Sequence, residues 1–123
     1  MTGLHIDLVD DRRIFQPGES LEGVVSWTVN GATSAEVRLF WYTRGKGTED
    51  VGLVDTVGFP NPQTTDRRTF RFALPNAPYS FSGQLISIVW AIELILEPGS
   101  SVERREIVIS PTGREVVVAH EGA

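Results

Sequence analysis

The 123-residue chain contains no cysteine, and it has only two histidines and one lysine, Lys46. Without cysteine the chain cannot form a disulfide, a zinc–thiolate or iron–sulfur site, or a thiol nucleophile. It also lacks a Gly-x-Ser-x-Gly motif, which removes the usual signal for a serine hydrolase. General acid–base catalysis draws mainly on histidine, lysine and buried carboxylates, and two of these three sources are nearly absent. We therefore expect a protein that is not an enzyme and that holds no cofactor.

The two histidines, His5 and His120, also limit metal binding. A metal site would need both of them together with a carboxylate such as Asp7. The pattern puts His5 on the solvent side of the first predicted strand and His120 in the C-terminal tail. We therefore expect two solvated histidines rather than a metal site.

Positive charge is scarce as well. Acidic residues outnumber basic ones, 16 to 11, which gives a formal net charge of −5. A non-specific nucleic-acid binder needs a basic face that displaces counterions from phosphates, so we do not expect nucleic acid as a partner. The same excess of negative charge argues against an anionic membrane surface.

Long apolar runs are also absent. The longest apolar stretch, Leu85 to Leu96, is interrupted by Ser87 and Glu93 and is too short to span a bilayer as a helix. The N-terminal residues have no basic start followed by a long apolar run, as a signal peptide would. We expect a cytoplasmic protein that does not insert into membranes.

Turn-forming residues are abundant instead, with 12 glycines and 7 prolines separating short runs rich in β-branched and aromatic residues. Within these runs apolar residues alternate with polar ones, which is the period of a half-buried strand. The pattern predicts an all-β protein, a two-sheet sandwich of about eight strands with no long helix. The predicted strands cover Leu4–Val9, Leu21–Val29, Val37–Tyr42, Val51–Phe59, Phe70–Leu74, Leu85–Leu96, Val102–Ile109 and Arg114–Val118, with a short edge segment at Ile14–Phe15.

Four segments of this pattern carry specific expectations. Asn30-Gly31 is the strongest short signal for a β-hairpin, and the polar, Gly-rich segment Thr43–Asp50 predicts a loop. Gly23, inside a strand, indicates a bulge or a close approach of another backbone. Leu85–Leu96 is apolar on both sides, so a helix competes with a strand, and its β-branched residues favour a central strand.

Two stretches of the chain carry a resemblance to a known family. The first is the turn Pro17-Gly18-Glu19, which leads into the strand that contains Gly23. The second is Phe70-Arg71-Phe72-Ala73-Leu74-Pro75, then the loop Pro78-Tyr79-Ser80-Phe81-Ser82-Gly83, then the strand Ile88-Val89-Trp90-Ala91-Ile92. In this order, which covers residues 4 to 118, they resemble an arrestin-like domain.

The resemblance implies an immunoglobulin-like, arrestin-like β-sandwich that is used for protein–protein contact and scaffolding. It places a single domain over residues 1–119 and leaves 120–123 as a frayed C-terminal tail. The family sets two such sandwiches in tandem, whereas this sequence has the length of one. The polar core between two domains is therefore not expected here.

We expect the binding site on a sheet face or an exposed edge strand. Phe40 and Tyr42 alternate with a core position, so they fall on the outer face, where two exposed rings would form an apolar patch for a partner. Arg12 and Arg13 follow two aspartates; they are either solvated edge charges or the recognition site of an acidic or phosphorylated peptide. The predicted partner-binding residues are Phe40, Tyr42, Arg12, Arg13 and Arg44.

The leading hypothesis is a non-catalytic adaptor that binds a protein partner, as an extended peptide, or a second copy of itself in a homodimer. The alternative is a ligand-binding module of the carbohydrate type, which needs at least two coplanar, exposed aromatic rings. Against it, Trp27, Trp41 and Trp90 are each in phase with an aliphatic face, and we assign them to the core. An enzyme would need a concave site with convergent titratable groups.

Overall fold

The structure is a computed structural model that describes residues 3–45, 50–82, 86–111 and 116–117. These residues form ten strands and no α-helix. The strands make two sheets whose apolar faces pack on each other, so the predicted all-β, two-sheet sandwich is confirmed. Within the described ranges, no helix has the length and hydropathy needed to cross a bilayer.

The strands follow the predicted alternation closely. One short strand, β7, was not predicted, and a single 3-10 turn, Val9–Asp11, follows the first strand. The strands are β1 (Gly3–Leu8), β2 (Ile14–Phe15), β3 (Ser20–Thr28), β4 (Ser34–Gly45), β5 (Val51–Gly58), β6 (Thr65–Ala73), β7 (Phe81–Ser82), β8 (Ile86–Glu97), β9 (Ser101–Ile109) and β10 (Val116–Val117).

The smaller sheet has three antiparallel strands in the order β1-β3-β6. In the larger sheet β4 lies between β5 and β8. The other side of β8 pairs with β7 near its start and with β9 along the rest of its length. The two-residue strands β2 and β10 extend the larger sheet in parallel with β9 and β7.

The core fills the space between the two sheets and uses every second residue of the long strands. Trp27 and Trp90 are both almost completely buried in it. Each indole N–H has a partner, because Trp27 donates to the carbonyl of Gln63 at 2.8 Å and Trp90 to that of Pro78 at 2.9 Å. These two tryptophans are therefore core residues, as predicted, while Trp41 is half-buried and packs against the edge of the core.

The apolar segment that could have been a helix is strand β8. Trp90, Ile92 and Leu94 point into the core, and the backbone pairs with β4 on one side and with β9 on the other. A central strand has two neighbours and can bury both faces, which explains the nearly continuous apolar sequence. The first predicted residue of this segment, Leu85, lies outside the described residues.

The hairpin expected at Asn30-Gly31 is not formed. The two residues do make a turn, but β3 belongs to the smaller sheet and β4 to the larger one. The chain crosses between the sheets because Val29 and Ala35, on either side of the turn, are both buried in the core between them. The loop expected from Thr43 also begins later, since β4 stays paired with β8 as far as Gly45.

Gly23 is a point of close approach between neighbouring strands. A Cβ at this position would lie 2.7 Å from the carbonyl oxygen of Asp7 and 2.8 Å from the ring of Phe70. Neither strand pair shows a register shift at Gly23, so of the two expectations the close approach is the one observed.

We therefore expect Gly23→Ala to lower the free energy of unfolding by about 1–3 kcal/mol, since the Asp7 carbonyl is fixed in its strand and cannot move away. Urea unfolding measures this loss. Gly58→Ala is the matched control, because nothing lies within 4 Å of its added Cβ. Equal stabilities of the two variants would contradict the close packing at Gly23.

Candidate functional site on the outer face of the larger sheet

Three of the five predicted binding residues come together on the outer face of the larger sheet. Phe40, Tyr42 and Arg44 alternate along β4 and line one open depression with a volume of about 630 Å³. The strands beside β4 supply the rest of the lining. The described residues around it are Arg38, Phe40, Tyr42, Thr43, Arg44, Gly45, Asp50, Val51, Leu53, Glu93 and Arg104.

Aromatic rings form the floor of the depression. The rings of Phe40 and Tyr42 are stacked, with centroids 6.0 Å apart. The guanidinium carbon of Arg104, on β9, lies 5.1 Å from both ring centroids, which is the distance of a cation–π contact. Leu53, on β5, is paired with Phe40 on the opposite side.

The two outward-facing rings are not both exposed. Phe40 is only 7% exposed and Tyr42 is half-buried. The cover comes from Arg104, which is more than sixty positions away in the sequence and reaches the ring only because β8 and β9 form a hairpin. The predicted apolar patch is therefore present in part, as a partly covered floor.

Three of the described arginines on this face are each paired with a glutamate of the same face. Arg38 binds Glu36 at 3.0 Å, and Arg104 binds Glu93 at 2.9 Å. Arg44 donates to Glu106 at 2.7 Å. These three arginines and three glutamates balance one another, and the exposed Asp50 adds a further carboxylate to the lining of the depression.

Tyr42, one of the two rings of the floor, is hydrogen-bonded to both members of the Arg44–Glu106 pair. Its hydroxyl donates to Glu106 at 2.9 Å and accepts from Arg44 at 2.7 Å. The hydrogen bonds to Glu106 and then to Tyr42 raise the pKa of Arg44 above its ordinary value, which keeps the guanidinium charged. The described lining contains no histidine, cysteine or serine. What this arrangement offers is contact area and hydrogen bonds, since Arg38, Arg44 and Arg104 are already engaged with glutamates.

The free edge of β5 runs along one side of the depression. β5 pairs with β4, and none of the other described strands covers its second edge. Three of its apolar residues are exposed: Val51 at 70%, Leu53 at 61% and Val54 at 40%. An uncovered strand edge offers a row of backbone N–H and C=O groups to a further strand.

The opposite sheet protects its own long edge with charge. β6 is an edge strand of the smaller sheet, and its sequence contains Arg67, Arg68 and Arg71. Arginines on an edge strand discourage the pairing of another chain. β5 has one charged residue, Asp55, and a register shift beside Leu39 and Phe40 that displaces Val54 from its pairing. The stretch Val51–Leu53 is thus the least protected part of this edge.

The sequence pattern missed the importance of β5 and Arg104. The β5 sequence has only one charged residue in eight, which could have indicated a strand edge without protective charges. The sequence alone does not show, however, that β5 is an edge strand, because that depends on which strands pair.

Gly52 shows the same dependence on tertiary structure. A side chain there would collide with the indole of Trp41, so the glycine lets this half-buried tryptophan pack under the edge.

Arg12 lies away from the depression and serves the local fold. Its guanidinium binds Glu19 through two hydrogen bonds, of 2.8 and 3.0 Å, and lies 4.5 Å from the ring centroid of Phe15. It also donates to the carbonyl of Ile14 at 2.9 Å. These contacts close the turn at Pro17-Gly18 and leave Arg12 engaged within its own chain.

Arg13 is exposed, and its carbonyl accepts the N–H of Val108 at 2.7 Å, next to the β2–β9 pair. It lines a second cavity, of about 340 Å³, together with Arg44, Ser80 and Glu106. Arg44 therefore borders both depressions, whereas Arg13 borders the second and Arg12 neither. The five predicted residues do not form one site.

Of the two histidines, the structure describes His5, which lies on the solvent side of the first strand as the sequence pattern predicts. His5 is exposed on the outer face of the smaller sheet, opposite Ser26 on β3. No group of three metal-ligating side chains occurs among the described residues. His120 and the C-terminal tail lie outside them.

The sequence matches no protein-family model and no curated protein. Among solved structures it is similar to a beta-glucosidase from Listeria innocua, at 17% identity and a TM-score of 0.46 over 94% of this chain. A beta-glucosidase from Erythrobacter marinus aligns with 89% of the chain at 15% identity and a TM-score of 0.43. The chain spans 16% and 15% of the length of these two proteins. Similarity at this level assigns neither a family nor an activity to the chain.

The Arg12–Glu19 pair predicts a pH dependence of stability. The hydrogen bonds from Arg12, and next the backbone N–H of Gln16, lower the pKa of Glu19 from 4.5 to about 2. A carboxylate with a depressed pKa in the folded state stabilises the fold above its unfolded pKa, and this contribution disappears as the pH falls from 4.5 to about 2. Glu19→Gln should therefore be less stable than the parent protein at neutral pH and approach it near the lower limit.

Urea unfolding of both proteins across this pH range measures the difference. Arg12→Gln is the companion variant and should show the same convergence, because it removes the other half of the pair. A stability difference between Glu19→Gln and the parent that stays constant down to the acid limit would contradict the assignment.

Proposed function

We propose that this protein is a non-catalytic interaction module, an arrestin-like β-sandwich that acts as an adaptor in the cytoplasm. Its partner is another protein, which binds as an extended segment along the free edge of β5 and over the adjoining depression. The observation that carries the proposal is the combination of an uncovered edge strand, with exposed Val51 and Leu53, and the concave aromatic surface beside it.

An extended segment suits this surface for a general reason. A strand added to a sheet edge gains main-chain hydrogen bonds, while alternate side chains enter pockets on the sheet face and supply specificity. The depression borders β5 where Val51 and Leu53 project, so alternate side chains of the added strand would lie beside it. In the smaller sheet, the edge strand β6 carries three arginines, and on the other edge strand, β1, the carbonyl of Ile6 already accepts a hydrogen bond from Arg105.

The state of the ionic groups supports a binding role over a catalytic one. Arg38, Arg44 and Arg104 are each held by a glutamate, so the arginines do not converge on an empty position. Catalysis needs groups aimed at a reacting atom. The lack of cysteine is consistent with a reducing compartment such as the cytoplasm.

The carbohydrate-binding alternative receives little support from the described residues. Trp27 and Trp90 are buried between the sheets, and Phe40 lies under Arg104. Of the rings that could have formed a flat platform, Tyr42 is half-buried and is tied by hydrogen bonds to Glu106 and Arg44. Two coplanar exposed rings, which this alternative requires, do not occur there.

Affinity capture from native lysate with three forms of the protein tests the proposal. The parent protein should retain a specific partner, and Val51→Ser/Leu53→Ser should lose most of it, about tenfold or more, because both exposed anchors on the edge are removed. Both positions are largely exposed, so the fold should persist, which near-ultraviolet circular dichroism checks.

Thr65→Ser/Thr69→Ser, on the exposed edge strand β6, is the matched control and should capture the partner as well as the parent does. The proposal fails if the β5 variant and the parent capture the same proteins equally, or if the parent captures none above a β-sandwich of unrelated sequence.

A further inference from the structure

We infer that the segment that binds the β5 edge is basic, with a lysine or arginine on either side of two apolar residues. The inference rests on the proposed function, because it names the chemistry of the partner for the same surface. The juxtaposition that carries it is the apolar stretch Val51–Leu53 with an exposed carboxylate on either side, Asp50 before it and Asp55 after it.

Neither of these two carboxylates is paired with a cation in the described part of the chain. The ion pairs of the outer face join arginines to glutamates, and none of them includes Asp50 or Asp55. The Asp55 carboxylate accepts the N–H of the next residue, Thr56, at 2.8 Å. The hydrogen bonds of Asp50 to Thr43 use its backbone N–H and carbonyl, not its carboxylate. Both negative charges are therefore available to a partner.

The two faces of β5 differ along this stretch, and the difference sets the pattern of the partner. Val51 and Leu53 are paired with the two ring residues of β4, so both lie on the side of the depression. Asp55 follows the register shift and is paired with the core residue Leu39, which places it on the other face. Successive side chains of an added strand also point to opposite faces. Its apolar side chains can therefore contact the depression while a basic side chain on its other face reaches Asp55.

The spacing of the carboxylates gives the spacing of the basic residues. Asp55 is paired with Leu39 and Asp50 is bonded to Thr43, and these two partners are four positions apart on β4. A regular strand thus covers the distance between the carboxylates in four steps, or about 13 Å at roughly 3.3 Å per residue. Two basic residues four positions apart share one face of a strand, and the apolar residues next to them share the other.

The charge of the whole molecule favours the same partner. The chain has a formal net charge of −5, so it attracts a basic segment before contact and repels an acidic one. A second copy of the chain would bring further carboxylates to this edge. The arginines of β6 repel a basic segment from that edge of the smaller sheet. Exposed ion pairs contribute little affinity and are screened by salt, so these charges act mainly on the choice of partner.

Three capped synthetic peptides that differ only in their charge provide the test. Their sequence is Thr-X-Val-Thr-Val-X-Thr, in which X is lysine, glutamine or glutamate. Each peptide is titrated into the nitrogen-15-labelled full chain at low salt, and the shifts of the β5 amide signals give the dissociation constant. The lysine peptide should bind about tenfold more tightly than the glutamate peptide, because two ion pairs replace two like-charge contacts. Sodium chloride at about 0.5 M should remove most of this difference.

Two variants distinguish the β5 carboxylates from the charge of the whole chain. Asp50→Asn/Asp55→Asn should reduce the preference for the lysine peptide to about twofold or less. The fold should persist, since asparagine keeps an acceptor for the N–H of Thr56. Asp7→Asn/Glu22→Gln is the matched control, because it removes two exposed carboxylates from the smaller sheet and changes the net charge equally. This control should retain most of the preference.

The possible failures separate the basic partner from the proposed function. If the three peptides shift the β5 signals with equal affinity, or if both variants lose the preference equally, the basic partner is overturned and the edge remains a strand-binding site. Shifts of β5 that grow with protein concentration and that the lysine peptide does not displace would identify a second copy instead. If no peptide shifts β5, the inference also fails, and the capture experiment with Val51→Ser/Leu53→Ser decides separately on the proposed function.

Discussion

Packing of the two sheets through alternate side chains is the constraint on which the rest of this structure depends. Trp27 from the smaller sheet and Trp90 from the larger one are the largest residues in this layer, and both are almost fully buried. A fully buried side chain of this kind contributes on the order of 2 kcal/mol relative to its exposed state. Their N–H groups find carbonyl partners in the Gln63 and Pro78 segments, so burial leaves no unpaired donor.

The inward aromatic and aliphatic residues of the central strands are buried in this layer. Contacts with other molecules can therefore be made only by the outer faces and the edges of the sheets. The edge strands of the two sheets differ in charge: β6 of the smaller sheet carries arginines, whereas β5 of the larger sheet exposes Val51 and Leu53. On the outer face of β4, the ion pairs and the cation–π contacts of Arg104 hold Phe40 and Tyr42 in place. A face whose three arginines are held by glutamates, beside an apolar edge, is the basis of the proposed recognition of an extended strand.

The alternation of residues was enough to predict the sandwich and the inward faces, because a period of two is a local property of the chain. Predictions from this alternation failed where the structure depends on strands that are distant in the sequence. Asn30-Gly31 turns as its type predicts, yet joins different sheets, since hairpin formation requires that both flanking strands share a sheet. Phe40 points outward as expected, but Arg104 covers it. The exposure of β5 could not be predicted, because an edge exists only once all pairings are known.

Amide hydrogen exchange of the dilute monomeric protein tests the central claim most directly. If the core layer organises the molecule, amides of β3, β4 and β8 exchange only through global unfolding, whereas in β5 protected amides bonded to β4 alternate with rapidly exchanging ones that face outward. Uniform protection throughout β5, or exchange in β4 and β8 as fast as in the turns, would contradict the account.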